Sequence, residues 1–294
     1  MDLSVPASLT ETAPAKINLT LRVLARRQSG DNAGYHELES LVAFADLVDR
    51  LTLEPSEALS LDVAGIFAAA SGDVSGNLVL KAVAALRQSM PAAQAGRFLL
   101  EKNIPVASGM GGGSADAAAA LRLLAKLNDL KIDDPRLMEA ARAVGADVPV
   151  CLEGQARIMR GIGEQLSPPV DLPPLFAVLV NPGVAVATRD VFAKLVIRQN
   201  GGPALTAPPR GFEETIAFLQ QHGNDLAEPA IACAPAIAEV LAVLAATAGC
   251  RLARMSGSGA TCFALYASAD AAADAAKTLQ ASHVTWWVTP AVLS

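Results

Sequence analysis

Pro105-Val106-Ala107-Ser108-Gly109-Met110-Gly111-Gly112-Gly113-Ser114-Ala115 is the stretch whose reading decides the fold. Four of the five residues from 109 to 113 are glycine, so successive backbone N–H groups can converge on one anion with no Cβ in the way. Gly112 is expected to be one of the positions that need positive φ. Ser114 is placed to cap the segment that follows, up to Leu127, which is built of strong helix formers. Ala117, Ala120, Leu121, Leu124 and Ala125 form one apolar stripe, widened by Leu123 and Leu127, and a buried helix is predicted. A glycine loop feeding the N-terminus of a buried helix is an anion site, because open donors meet the positive end of the helix dipole. A Walker A loop needs Lys-Ser/Thr after its last glycine, and Ser114-Ala115 stands there instead. A dinucleotide fingerprint needs glycine or alanine at 114 and a strand running straight into the loop, which Pro105 interrupts. A flexible loop beside an Ala-rich core helix and a nucleotide-triphosphate cradle of another type stay open at this point.

The remainder of the composition narrows the class. A chain of 294 residues, 52% hydrophobic and poor in aromatics, has ample material for a packed core in one large or two ordinary domains. A net charge of −6 offers no basic stripe for nucleic acid. Cys151, Cys233, Cys250 and Cys262 are scattered without CxxC or metal-ligand spacing, as free thiols of a reducing compartment would be. Met1 to Glu11 has neither a basic nor an apolar leader region, and no apolar run reaches membrane-spanning length. A cytoplasmic protein is expected.

From the N-terminal side, Ala15 to Val23 alternates strictly, which predicts a strand with Lys16, Asn18, Thr20 and Arg22 on its polar face. Taken alone that face reads as solvated. Tyr35-His36 follows a polar loop and reads either as a buried anchor beside a structural imidazole or as a platform for a flat ring. Further strands are predicted at Leu51–Leu53, Leu59–Val63 and Arg97–Lys102, with a helix from Asn77, its cap, to Arg87. A helix over Pro135–Val144 ends at Gly145. Asp147 then falls just past a helix C-terminus, where the dipole disfavours an anion, ahead of a strand from Val150 to Met159. Pro168-Pro169 and Pro173-Pro174 mark a linker. Beyond it come a strand (Leu175–Val180), a helix (Arg189–Val196), a Gly/Pro-rich loop (198–211) and helices near Glu213–Gln221 and Pro235–Ala246. Strands Arg251–Met255 and Thr261–Tyr266 flank Ser256-Gly257-Ser258-Gly259-Ala260, a tight hairpin by itself, followed by a helix at Ala271–Gln280 and a strand at Val284–Val288. Strands and helices interspersed without strict βα repetition predict a two-domain α+β molecule.

The loop, with Asp116-Ala117-Ala118 after it, resembles the phosphate loop of the GHMP kinases, small-molecule kinases unrelated to protein kinases. Ala13-Pro14-Ala15-Lys16-Ile17-Asn18-Leu19 is similar to that family's N-terminal motif, Gly145-Ala146-Asp147-Val148-Pro149 to its base segment, and Met255 to Thr261 to its third motif. Gly34-Tyr35-His36 and Gly161-Ile162-Gly163-Glu164 resemble the branch that phosphorylates 4-diphosphocytidyl-2-C-methyl-D-erythritol. The loop Gln28 to Ala33 departs from that branch by its length. The resemblance implies a ribosomal protein S5 domain 2-like ATP-binding domain over residues 1–167 and a ferredoxin-like domain over 168–294. It implies transfer of the γ-phosphoryl of Mg2+-ATP to the 2-hydroxyl of the cytidine diphosphate-linked methylerythritol, with Lys16 and Asp147 catalytic. ATP would be held by Pro105 to Ala115, Asn77 and Lys102, and the acceptor by Asn18, Tyr35, His36, Thr188, Phe192, Gly257 and Gly259. No protein metal ligand, nucleic acid or membrane partner is implied. Two rivals keep the loops: a sister kinase for mevalonate- or homoserine-like acceptors, and a non-catalytic sensing module, against which the presence of both Lys16 and Asp147 argues.

Overall fold

The computed structural model describes residues 8–29, 33–197, 204–208 and 210–294. Residues 30–32 of the long loop before Tyr35, residues 198–203 and Pro209 of the Gly/Pro-rich loop, and the first seven residues lie outside the described residues. In chain order, strands β1 (Leu9–Asn18), β2 (Arg22–Arg26), β3 (His36–Pro55) and β4 (Ser60–Ala64) precede helix α1 (Leu78–Ser89). Strand β5 (Gly96–Glu101) leads through the glycine stretch to α2 (Gly112–Leu127), then α3 (Pro135–Val144), α4 (Val148–Glu153), β6 (Arg157–Gly161) and β7 (Gln165–Leu166). After the proline linker come β8 (Leu175–Asn181), α5 (Thr188–Lys194), α6 (Phe212–Gln220), α7 (Ala227–Cys233) and α8 (Ala236–Ala246). Strands β9 (Leu252–Met255) and β10 (Cys262–Tyr266), helix α9 (Ala269–Ser282) and β11 (Trp287–Leu293) complete the chain.

Packing divides the chain into two units that share β1, β3 and the glycine stretch. The first holds residues up to 15, 47–106 and 111–154; the second holds 16–46, 107–110 and 155–294. In the first unit β4 runs parallel to β5, the connection passing through α1, and β5 pairs antiparallel with the end of β3 from Arg50↔Glu101 to Pro55↔Gly96. Helix α2 packs on α1, α3 and α4. It is buried on nearly every side, as its stripe predicts: Leu121, Leu123 and Leu124 are fully covered, each contributing roughly 1.5–3 kcal/mol. Arg122 leaves that face to pair with Glu11 (Nε–Oε2 3.0 Å) and donate to Cys151 O (2.9 Å). In the second unit β3 pairs antiparallel with β2 and β6, while β11, β8, β10 and β9 form an antiparallel run. Helix α9 packs on β8, β10 and β11.

Several expectations shift. The predicted strand at 15–23 is two strands broken at residues 19–21, and Leu51–Leu53 is the end of the 20-residue β3. Ser114 is not the cap of α2: the helix starts at Gly112, and Gly111 takes the cap position in the left-handed region (φ 63°). Gly112 itself is helical, and the positive φ of this stretch falls on Ala107 (φ 51°), Gly109 (φ 78°) and Gly111 instead. The strand expected from Val150 to Met159 starts late: helix α4 occupies 148–153, because Pro149 in its first turn is preset for helical φ, and the strand β6 begins at Arg157. Helix α7, unforeseen, carries Pro229 in its first turn, where a missing N–H costs nothing. The last strand starts at Trp287, later than expected.

Candidate active site

In the second unit the polar face of β1 is not solvated. Lys16 and Asn18 are each 3% exposed, and Lys16 Nζ donates to Asn18 Oδ1 (3.1 Å). Asn18 Nδ2 donates to Ser40 Oγ (2.8 Å), whose hydroxyl donates to Thr20 O (2.5 Å). What covers this face is the glycine stretch and the β9–β10 turn. Lys16 N donates to Met110 O (2.9 Å), and Asn18 N donates to Ser256 Oγ (3.0 Å). The Ser256 hydroxyl donates onward to Gly109 O (2.9 Å), and Thr261 N donates to Ser108 O (3.0 Å). Three segments remote in sequence, 16–18, 108–110 and 256–261, are thus bonded together. Gly109 is required twice over: its φ is positive, and a Cβ would lie 2.4 Å from Ser256 O. Gly257 (φ 55°) faces it, with Gly109 O 2.8 Å from where its own Cβ would stand.

The same unit brings together the residues assigned to the acceptor. His36 stacks on Phe192, ring centroids 4.7 Å apart and planes 22° from parallel. Burial, with the Arg26 charge beside it, lowers the His36 pKa, which favours a neutral imidazole with one donor and one acceptor nitrogen. Tyr35 projects from the start of β3 and is 58% exposed, not the buried anchor that was one reading of it. Thr188 opens α5, and its hydroxyl bonds Ser258 Oγ (2.8 Å), on the turn that holds Gly257 and Gly259.

In the first unit Lys102 lies beside the start of α2, its Nζ 3.4 Å from where a Cβ on Gly112 would stand. Asn77 caps α1 as expected, its Oδ1 accepting from Val79 N (2.9 Å). Lys102, expected to approach the base, is buried with its ammonium bonded to Asp49 and to Asp116 (2.7 Å). Its backbone N–H and C=O are also engaged, with Ala64 O and Phe67 N, so its polar groups serve the protein. Asp49 Oδ1 accepts from Asn103 N (2.5 Å) and Ile104 N (2.8 Å), tying the end of β5 to the triad. Although burial opposes a charge, the Asp116 and Asp49 carboxylates hold the Lys102 ammonium above its ordinary pKa. Burial likewise pushes the Asp116 carboxyl up to about 7, Asp49 adding to the rise and Lys102 opposing it. Asp116 Oδ1 is buried with no hydrogen-bond partner among the described residues. Asp147 is the N-cap residue of α4, three residues past the end of α3, and its side chain makes no capping hydrogen bond there. Ser40, Asp49, Asp116 and Ser256 were not assigned roles from sequence. A carboxylate on the buried face of an Ala-rich helix was the one signal available for Asp116.

Residues 77–155 match the family described as GHMP kinases N terminal domain, and residues 208–284 match GHMP kinases C terminal. Over 98% of both chains, 52% of residues are identical to a 4-diphosphocytidyl-2-C-methyl-D-erythritol kinase of Rhodopseudomonas palustris. A relative of the same name from Azorhizobium caulinodans is 53% identical over 97% of this chain and 99% of its own. The chain belongs to the GHMP kinases, in the 4-diphosphocytidyl-2-C-methyl-D-erythritol kinase family. A crystal structure of 4-(cytidine 5'-diphospho)-2C-methyl-D-erythritol kinase, 35% identical, superposes with a TM-score of 0.77 over 97% of this chain and 99% of the other. A homoserine kinase from Cytophaga hutchinsonii at 19% identity (TM-score 0.68, covering 100% of this chain and 96% of that one) shares the fold. As a member, the chain has the two-domain α+β GHMP kinase fold, with an S5 domain 2-like N-terminal and a ferredoxin-like C-terminal domain. Among the described residues no group of three or more His, Cys, Asp or Glu is placed to hold a metal. No described helix is long and apolar enough to cross a membrane.

Proposed function

We propose that the chain transfers the γ-phosphoryl group of Mg2+-ATP to the 2-hydroxyl of 4-diphosphocytidyl-2-C-methyl-D-erythritol, in the cytoplasm, as a step towards isoprenoid precursors. The observation that carries this reading is the bonding of 16–18, 108–110 and 256–261 into one frame, in a chain matching a relative named for that substrate over nearly its whole length. Phosphoryl transfer is mostly positioning and charge neutralisation, and a donor-rich loop with a buried lysine beside it supplies both. The glycine stretch receives the phosphates, whose charge Mg2+ carried by the nucleotide would help neutralise. Lys16 neutralises the transferring group, and Asp147 accepts the hydroxyl proton. Moving that proton fully from a group of pKa about 15.7 to a carboxylate of about 3.9 costs roughly 16 kcal/mol. Asp147 therefore takes it late, as the new P–O bond forms, and before that orients the hydroxyl. Tyr35, His36 and Phe192, with Thr188, take the cytosine; Asn18, Gly257 and Gly259 face the acceptor. The partition into domains at residue 167 belongs to this reading, and the two family matches fall on either side of it.

The test is ADP release on mixing the chain and Mg2+-ATP with the cytidine acceptor, mevalonate or homoserine. Turnover confined to the cytidine acceptor is expected. Turnover of one of the others alone removes the acceptor assignment, and ATP binding without turnover of any makes the chain a sensing module.

A further inference from the structure

Asn224 lies outside every motif considered above, in Gly223-Asn224-Asp225-Leu226 between α6 and α7. This short segment is zipped onto the break between β1 and β2. Leu21 N donates to Gly223 O (2.9 Å), Asp225 N donates to Leu21 O (2.8 Å), and Asp225 Oδ2 accepts from Val23 N (2.8 Å). The Asn224 side chain points the other way. Its Nδ2 donates to Met255 O (2.8 Å) and to Gly257 O (2.8 Å), while Oδ1 accepts from Leu226 N (2.9 Å). Both amide donors thus hold the two carbonyls that flank Ser256, the residue bonded to Asn18 N and Gly109 O. A turn rich in glycine has no bulk of its own to choose where its carbonyls point. An external two-donor group supplies that choice, and a carboxamide is the side chain that can do so while still accepting from Leu226.

We infer that Asn224 is a positioning residue for nucleotide binding: its amide sets the Ser256 turn, and through Ser256 and Thr261 the turn sets the Ser108-Gly109 backbone that receives the phosphates. The inference rests on the proposed kinase reading only in taking the glycine stretch as the ATP cradle. Asn224→Asp is the decisive variant, since it keeps shape and the bond from Leu226 N but sets an acceptor against two carbonyls. ATP affinity, measured by equilibrium titration without acceptor, is expected to fall roughly ten- to a hundredfold in the folded variant. Ser256→Ala, cutting the next link, is expected to weaken ATP binding in the same way. A folded Asn224→Asp that binds ATP within about threefold of wild type, with only its unfolding midpoint lowered, makes Asn224 merely structural and overturns the inference. If Asn224→Asp fails to fold, Asn224→Ala, which removes the donors without adding a repelling oxygen, takes the same measurement. If neither folds, Asn224 serves the fold alone and the inference is overturned. Acceptor turnover by the wild type is a separate measurement, so the acceptor assignment and the inference fail independently; a wild type that binds no ATP overturns both.

Discussion

Asp147 is the residue on which the proposed chemistry turns. It takes the N-cap position of α4 three residues past the end of α3, so the C-terminus of α3 is not the one helix end beside it. Asp147→Asn keeps the shape and removes the proton acceptor. Turnover is expected to fall on the order of a hundred- to ten-thousandfold, with ATP affinity held within a few-fold. Steady-state kinetics beside an equilibrium ATP titration check this, and normal turnover by the variant would remove the base. At the proposed acceptor end, His36 stacks on Phe192 beside the exposed Tyr35. Stacking is worth about 1–3 kcal/mol per base, so Phe192→Ala or Tyr35→Ala is expected to raise the acceptor KM roughly five- to a hundredfold. ATP affinity is expected to stay put; equal losses for both ligands would make these aromatics part of the fold. The motifs are what single these residues out as candidates. The burial of Lys16 and Asn18 was not legible there, because alternation separates two faces without saying what covers either.

Among the elements, the loop into α2 and the helix after Asp147 differ in how far their local sequence specifies them. Glycine density located the loop, yet its positive-φ positions are Ala107, Gly109 and Gly111, since α2 begins directly at Gly112. The two glycines therefore predict different outcomes. Gly109→Ala drives a Cβ against the Ser256 carbonyl at positive φ, and is expected to abolish detectable ATP binding. Gly112→Ala meets Ile104 Cγ2 at 3.2 Å with helical backbone, so a small side-chain shift relieves it and binding survives with a lesser loss. Fluorescent-nucleotide titration of the two variants side by side decides; equal effects would refute the assignment of strain. Of the strand expected from Val150 to Met159, residues 150–153 are helical and 157–159 are strand, because a short apolar run has no period of its own and a proline in the first turn starts a helix as readily as it breaks a strand.

For the molecule as a whole, the buried Lys102–Asp49–Asp116 triad makes stability depend on pH in an unusual direction. Asp116 titrates at about 7 in the folded chain against an ordinary 3.8, so the folded state holds its proton more tightly. Its contribution is fully present below pH 3.8 and is lost as pH rises through 7. Asp134, held down to about 2 first of all by its hydrogen bonds with Arg136, acts oppositely, losing its contribution only in strong acid. Urea unfolding of the nucleotide-free chain between pH 4.5 and 8 is expected to show stability declining from Asp116, and Asp116→Asn to flatten that slope. An unchanged slope in the variant would assign the titration elsewhere.

The sequence by itself determined what a few neighbouring residues settle among themselves. The glycine stretch, the buried stripe of α2, the Asn77 cap and the full span of α3 were all readable, since propensity, capping and periodicity act within one or two turns of chain. The motif resemblance added the family on the same local residues. The tertiary structure alone decided which polar groups meet. Lys102 finds Asp49 and Asp116 from 53 and 14 residues away, and Ser256 reaches Asn18 across 238. It also decided that the chain passes repeatedly between two packing units, so that β1, β3 and the glycine stretch each serve both. Nothing in a local window encodes such pairings, because a hydrogen bond depends on positions and directions that exist only once distant segments have been brought within about 3 Å.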